Sequence, residues 1–376
     1  MKEACMPKET RRGKALRQLA DRMRSLVMAG RFDRAFEVGE RVMAAQPSAE
    51  IVEALIYPID SGLTTFPETR FYELLSAIKR RPRPRRFHAW YVLMTSVLLD
   101  RLRWAAETIR ESEKLLALPR RYGWMRWHRG LLILNKHWDP SAARDDFRAV
   151  LDSAPQVWKA KALIAEIDLS EGQTSRAFLA MAQLLRSVDD DDLASVRAWR
   201  GEMHLWIGQY RRALPDLDWA VRRMSPLALC WRGACFVKLG RLTEAIRDLD
   251  AQIRSHPDDF EALVWRGEAR RLMGSTREAL EDLDAVCRHG SSELWAHVNR
   301  ALIRANLGDR NGLWADYSSL PDWVRQYFAW ELGKPITPDS PSDAITAQLE
   351  AILRAARGVR RHNQYLFPLW IPSPTK

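Results

Sequence analysis

Cysteine is scarce in this chain, four in 376 residues. That excludes a disulfide framework and suits a reducing compartment. Long hydrophobic runs are missing too. Mean hydropathy is -0.35, and the longest nearly apolar stretch, residues 89–99, is too short to span a bilayer, so no membrane segment is expected. Residues 1–23 are charged throughout without an apolar centre and do not read as a secretory leader. These absences set the expected location as cytoplasmic. Lysine is rare, 11 of the 59 basic residues. The remaining arginines carry the net charge of +11, a field that favours acidic partners, although a compositional arginine bias produces the same excess.

Catalytic signatures are also lacking. No glycine-rich phosphate loop, zinc-type helix motif or nucleophile elbow occurs. Cys230 and Cys235 lie five apart without a second pair, which is no metal signature and reads as core. The eight histidines are scattered. No catalytic, cofactor or metal residue is therefore assigned and a non-catalytic role is expected, with the reservation that a site can be grafted on any scaffold.

What the chain has is internal repetition. Trp199-Arg200-Gly201, Trp231-Arg232-Gly233 and Trp265-Arg266-Gly267 recur at intervals of 32 and 34, and Asn299-Arg300-Ala301 follows after another 34. Seven residues past each small residue stands Gly208, Gly240, Gly274 or Gly308. Ala213, Ala245 and Ala279 come next, and then Asp-Leu-Asp at 216–218, 248–250 and 282–284. With a closing proline such as Pro257, this pattern resembles the tetratricopeptide repeat. The resemblance implies an all-α, right-handed superhelical solenoid of helix-turn-helix units of about 34 residues. Physical logic agrees: a small residue lets two helices cross closely, and the second glycine accepts the left-handed conformation that ends a helix.

Weaker copies extend the array. Gly30 to Ala35 with Pro47 makes a first unit, Ala165, Gly172 and Ala177 another, and Trp127-His128-Arg129-Gly130 sits in a third with a small insertion near Asp139. About nine units are expected over residues 14–320, behind a basic tail at 1–13. Capping helices and a tail follow at 321–376, with a short aromatic helix at 322–332 and a final amphipathic helix carrying Ile345, Leu349 and Ile352. The apolar tail beyond it either packs back on the body or docks elsewhere. Asp189 to Asp192 reads as a solvated start of the next helix.

Each late arginine is followed by an aspartate sixteen residues on: Arg200/Asp216, Arg232/Asp248, Arg266/Asp282 and Arg300/Asp316, with Arg129/Asp146 one residue longer. A structural ion-pair ladder is expected. The sixteen tryptophans exceed what core filling needs. By the resemblance, Trp199, Trp231, Trp265 and Asn299 lie on first helices facing a concave groove, joined by Trp127, His128, Glu202, Trp206 and Glu268. Such a groove suits an extended segment of another protein, with the indoles wedged between helices as the competing arrangement. Lys79, Arg80, Arg81, Arg83, Arg85 and Arg86 form the densest basic stretch, either a solvated linker or a polyanion site. The leading expectation is a protein-binding scaffold. A nucleic-acid binder using 79–86 is one alternative, and a modification-system subunit with a small molecule or sugar in the groove is another.

Overall fold

The computed structural model describes residues 11–45, 68–81, parts of 87–95, 111, 114, 123–136, 139–153, 155, 157–225, 228–257, 259–289, 293–331, 333 and 335–355. Every regular element among them is a helix, and none is long and apolar enough to cross a membrane. The chain divides into two compact units, residues 1–160 and 161–376.

In the first unit, α1 (Arg11–Met28) packs on α2 (Phe32–Ala44), followed by α3 (Glu68–Arg80). Their core joins Ala20, Met23 and Val27 to Phe36, Val42, Leu74 and Ile78. A second pair, α4 (Gly123–Lys136) and α5 (Pro140–Ser153), closes on Gly130, where an added Cβ would meet Phe147 at 2.8 Å. The Asp139 carboxylate accepts from the Ala142 N–H at 2.9 Å and starts α5, satisfying one of the donors a helix start leaves open.

In the second unit, helices alternate as first and second members of pairs: α6 (Trp158–Ser170), α7 (Thr174–Ser187), α8 (Asp190–Trp206), α9 (Tyr210–Arg222), α10 (Ala228–Lys238), α11 (Leu242–Ser255), α12 (Phe260–Leu272), α13 (Thr276–His289), α14 (Glu293–Asn306) and α15 (Arg310–Ser318). From α8 on, each first helix touches its own second helix, the preceding second helix and the next first helix, the stacking order of a helical-repeat solenoid. The first helix α10 is nearly surrounded by others, with Cys230, Trp231 and Ala234 to Val237 buried, whereas the second helices α9 and α11 are amphipathic. The close crossing needs glycine: an added Cβ at Gly233 would lie 2.7 Å from Leu249, and at Gly201 the same distance from Leu217. Each of those leucines is the middle residue of Asp-Leu-Asp.

The turn glycines behave as the spacing predicts. Gly240 sits at φ 73, with its N–H on the Val237 carbonyl at 3.0 Å and the Arg241 N–H on Phe236 at 2.9 Å, a left-handed helix stop. Met224 takes the same role at φ 56 without being glycine. Asp190 to Asp192 occupy the first turn of α8, where negative charge suits the helix dipole.

The end of the array is covered by α16 (Asp322–Glu331) and α17 (Ser342–Ala355). Ile345, Leu349 and Ile352 are buried against it, and the Tyr317 hydroxyl donates to Gln348. Burial pushes that phenol up to about 12. Arg310 ties down the intervening loop, donating to the carbonyls of Pro338 and Ser340 at 2.8 Å each. The tail after Ala355 lies outside the described residues.

Candidate functional site

The Arg–Asp ladder forms as the spacing predicts. Arg232 reaches Asp248 through two parallel bonds of 2.6 and 2.8 Å, and Arg266 reaches Asp282 at 3.0 and 2.6 Å. Arg200/Asp216, Arg300/Asp316 and Arg129/Asp146 pair likewise. The aspartates are buried, Asp316 to 1% exposure. Burial alone would raise the Asp316 pKa, but bonds from His297 and Arg300, with Arg304 nearby, hold it below the usual carboxylate value. At Asp146 the balance tips the other way, and burial outweighs Arg129 and Arg126 to raise it.

A second set of contacts was not read from the sequence. The last aspartate of each Asp-Leu-Asp reaches forward to the next repeat: Asp218 to Arg232 at 3.0 Å, Asp250 to Arg266 at 2.6 Å and Asp284 to Arg300 at 2.7 Å. One guanidinium thus joins two repeats, and the recurrence of the third residue was the signal for it. After Asp316-Tyr317 the equivalent place holds Ser318. Further arginines brace the inner aspartates, Arg197 at Asp216, Arg270 at Asp282 and Arg304 at Asp316.

The tryptophan face differs from expectation. Trp206, Trp231, Trp265 and Trp295 are buried, Trp265 completely, so they are wedged between helices and are not an open stacking ladder. Glu202, Glu268 and Asn299 are buried beside them. The Asn299 amide donates to the Trp295 carbonyl at 3.1 Å and accepts from Arg271 at 2.9 Å, so it does not present its amide to a peptide. Lys238 donates to Glu268 at 3.2 Å and stands 5.5 Å from the Trp265 ring centre. Trp199 alone of the late three is half-exposed, and its indole N–H donates to buried Glu166 one repeat earlier. Phe178 stacks on His204 at 4.2 Å, and burial lowers the His204 pKa.

Residues 204–253 and 236–293 match the tetratricopeptide repeat family. Residues 204–293 are tetratricopeptide repeats. Solved structures resemble the chain in fold. A Rap protein complexed with competence and sporulation factor superposes with a TM-score of 0.51 at 12% identity, over 82% of this chain and 97% of that one. The human IFIT1 dimer with PPP-AAAA gives 0.51 at 14% identity, over 94% and 84%. Yeast Tom70 gives 0.49 at 14%, over 76% of this chain and 61% of that one, so the chain spans less than two thirds of that structure. No curated protein matches the chain at the sequence level.

In the first unit, Trp127 is half-buried and packs on Phe147 with ring centres 5.6 Å apart. The side chain of His128 lies outside the described residues. The basic stretch divides. Lys79 and Arg80 are exposed at the end of α3, whereas Arg81 is pinned inward and is no solvated polyanion contact. It donates to the Tyr91 hydroxyl at 2.9 Å, pairs with Glu40 at 3.3 Å and lies 5.6 Å from the Phe36 ring centre. Burial, with the Glu40 hydrogen bond, raises the Tyr91 pKa. Arg83, Arg85 and Arg86 lie outside the described residues. Among the described residues no cluster of three or more acidic, histidine or cysteine side chains could hold a metal ion.

Proposed function

We propose that the chain is a non-catalytic scaffold that binds an extended segment of a partner protein along the first helices of residues 161–376. One observation carries this reading. Neighbouring first helices are already joined by side chains: Trp199 to Glu166, Lys238 to Glu268, and Arg271 to Asn299. Such a face is fixed before a partner arrives, so binding sacrifices little side-chain freedom. Trp231 and Trp265 form its buried floor, and the half-exposed Trp199, Lys238 and Arg271 form its edge, where an indole and two cations suit backbone carbonyls and carboxylates of a peptide. The Rap protein and IFIT1 structures, both ligand complexes, support the fold as one that hosts ligands.

The test is to select peptides from a random display library on the full chain and measure their affinity for Trp199→Ala/Lys238→Ala/Arg271→Ala. A loss of about tenfold or more is expected, with the circular dichroism spectrum unchanged. Selected peptides that bind the folded triple variant as tightly as the original would refute this face.

A further inference from the structure

A charged surface on the opposite members of the pairs takes no part in that scaffold face. Arg186 on α7, Arg222 on α9, Arg254 on α11 and Arg288 on α13 hold one register, 21 residues beyond Ala165, Gly201, Gly233 and Gly267 respectively. All four are exposed, and none is in an ion pair among the described residues, unlike the arginines of the ladder. Composition alone does not place arginine at one position of four consecutive repeats.

The row is densest on α9. At about 100° per residue, Arg211, Arg212, Pro215, Trp219, Arg222 and Arg223 fall within an arc of about 120°. No carboxylate shares that arc: Asp216 is buried on Arg200 and Arg197, and Asp218 is engaged by Arg232. Trp219 is held between two guanidiniums, Arg197 at 4.7 Å and Arg223 at 4.9 Å from its ring, which fixes Arg223 at the rim of the patch. On α11 the exposed Arg247 extends the face. Glu244, at the register of Arg212 on α9, is the carboxylate on the α11 part of this face and is held by Arg241; further acidic residues lie at its ends, with Asp189 to Asp192 after Arg186 and Glu281 beside Arg277 at 3.9 Å.

We infer that this outer face of α9 and α11 binds the phosphate backbone of a nucleic acid strand. Unpaired arginines present planar forks that match phosphate oxygens, and their repetition along consecutive units matches an evenly charged linear polymer. An acidic protein fits less well, because protein interfaces gather around an apolar centre. Neither α9 nor α11 exposes a large hydrophobic side chain; Met224 stands just beyond α9.

The probe is a fluorescein-labelled poly(U) strand of about twenty nucleotides, titrated with the full chain from about 50 to about 200 mM salt and read by anisotropy. Binding is expected to weaken steeply with salt. In Arg211→Gln/Arg222→Gln/Arg223→Gln/Arg254→Gln the slope of log affinity against log salt should shrink by about 2 to 3, at roughly 0.7 per lost phosphate contact. Circular dichroism should be unchanged, because these side chains carry no ion pair. Lys79→Gln/Arg80→Gln/Arg85→Gln/Arg86→Gln should keep the original slope. Four results would each overturn the inference: no binding, an undiminished slope in the first variant, loss only in the second, or equal displacement by poly-glutamate of matched charge.

Discussion

In residues 228–318 one arginine per repeat ties a helix pair to itself and to the pair before it, whereas among the described residues of 1–160 the helix pairs are held by differing contacts. Arg266 holds Asp282 within its repeat and Asp250 behind it. The first unit joins α2 and α3 through Arg81, Glu40 and the Tyr91 hydroxyl. Its close approach sets Gly39 against Trp90, where the second unit sets glycine against leucine. At α4 and α5 the arginine–aspartate pair persists, but the place of the forward-reaching aspartate holds Arg148. Stability that depends on a copied contact leaves a copied sequence. Stability built from local contacts leaves helices of the right length with little recurrence, which is why the family match covers 204–293.

The largest effect should come from cutting the shared arginine. Arg266→Ala leaves buried Asp282 on Arg270 alone and frees Asp250, and should cost about 1.5 to 3 kcal/mol. Hydrogen exchange should rise from α10 through α13, since two repeats lose a common tie. Arg129→Ala should cost a similar amount but loosen α4 and α5 alone. Exchange confined to α12 and α13 in the first variant would break the contrast between the units.

Overfilling the crossing comes next. Gly233→Val should destabilise by about 1 to 3 kcal/mol, and adding Leu249→Ala should restore part of the loss in urea unfolding. Gly39→Ala meets an indole instead of a flexible leucine, so removal of a leucine elsewhere should not relieve it. Equal rescue in both units would erase the distinction.

The smallest effect is a difference in sign. Asp316 has a lowered carboxyl pKa in the fold, so its contribution is present above the unfolded value and is lost as pH falls through the folded one. Asp146 is raised, so its proton is bound more tightly when folded, and local stability falls as pH rises from the unfolded through the folded value. Exchange protection corrected for intrinsic rate should therefore drop around α14 and α15 on acidification and rise around α4 and α5. Protection moving in the same direction at both places would contradict the opposite shifts.

Much of the fold was legible because recurrence fixes which residues are equivalent, and a spacing of sixteen already implied the inner pairs. The forward contacts of Asp218, Asp250 and Asp284 were less so, because a repeat in register does not say whether a side chain turns to its own unit or the next. The indoles were misjudged for a related reason. Spacing places Trp231 and Trp265 on first helices, but exposure depends on how closely the neighbouring pair approaches. For Trp231 the better signal was the sequence around it: ALCWRGACFVK has only Arg232 and Lys238 as polar residues, the mark of a helix surrounded by others. Arg81 shows the converse, since a charge run reads as solvated until Tyr91 and Glu40 are seen beside it.

The guanidinium shared between repeats has a consequence for how such a chain is lengthened or shortened. Because Arg232, Arg266 and Arg300 each look back to the same kind of aspartate, the 251–284 stretch behaves as an exchangeable cassette: excise it, and Arg300 meets Asp250 where Asp284 stood. Insertion of a further copy is matched in the same way. The last repeat is different, because Ser318 offers nothing to a successor. Growth by duplication is thus open anywhere inside the run and closed at its end, a terminus written in one side chain.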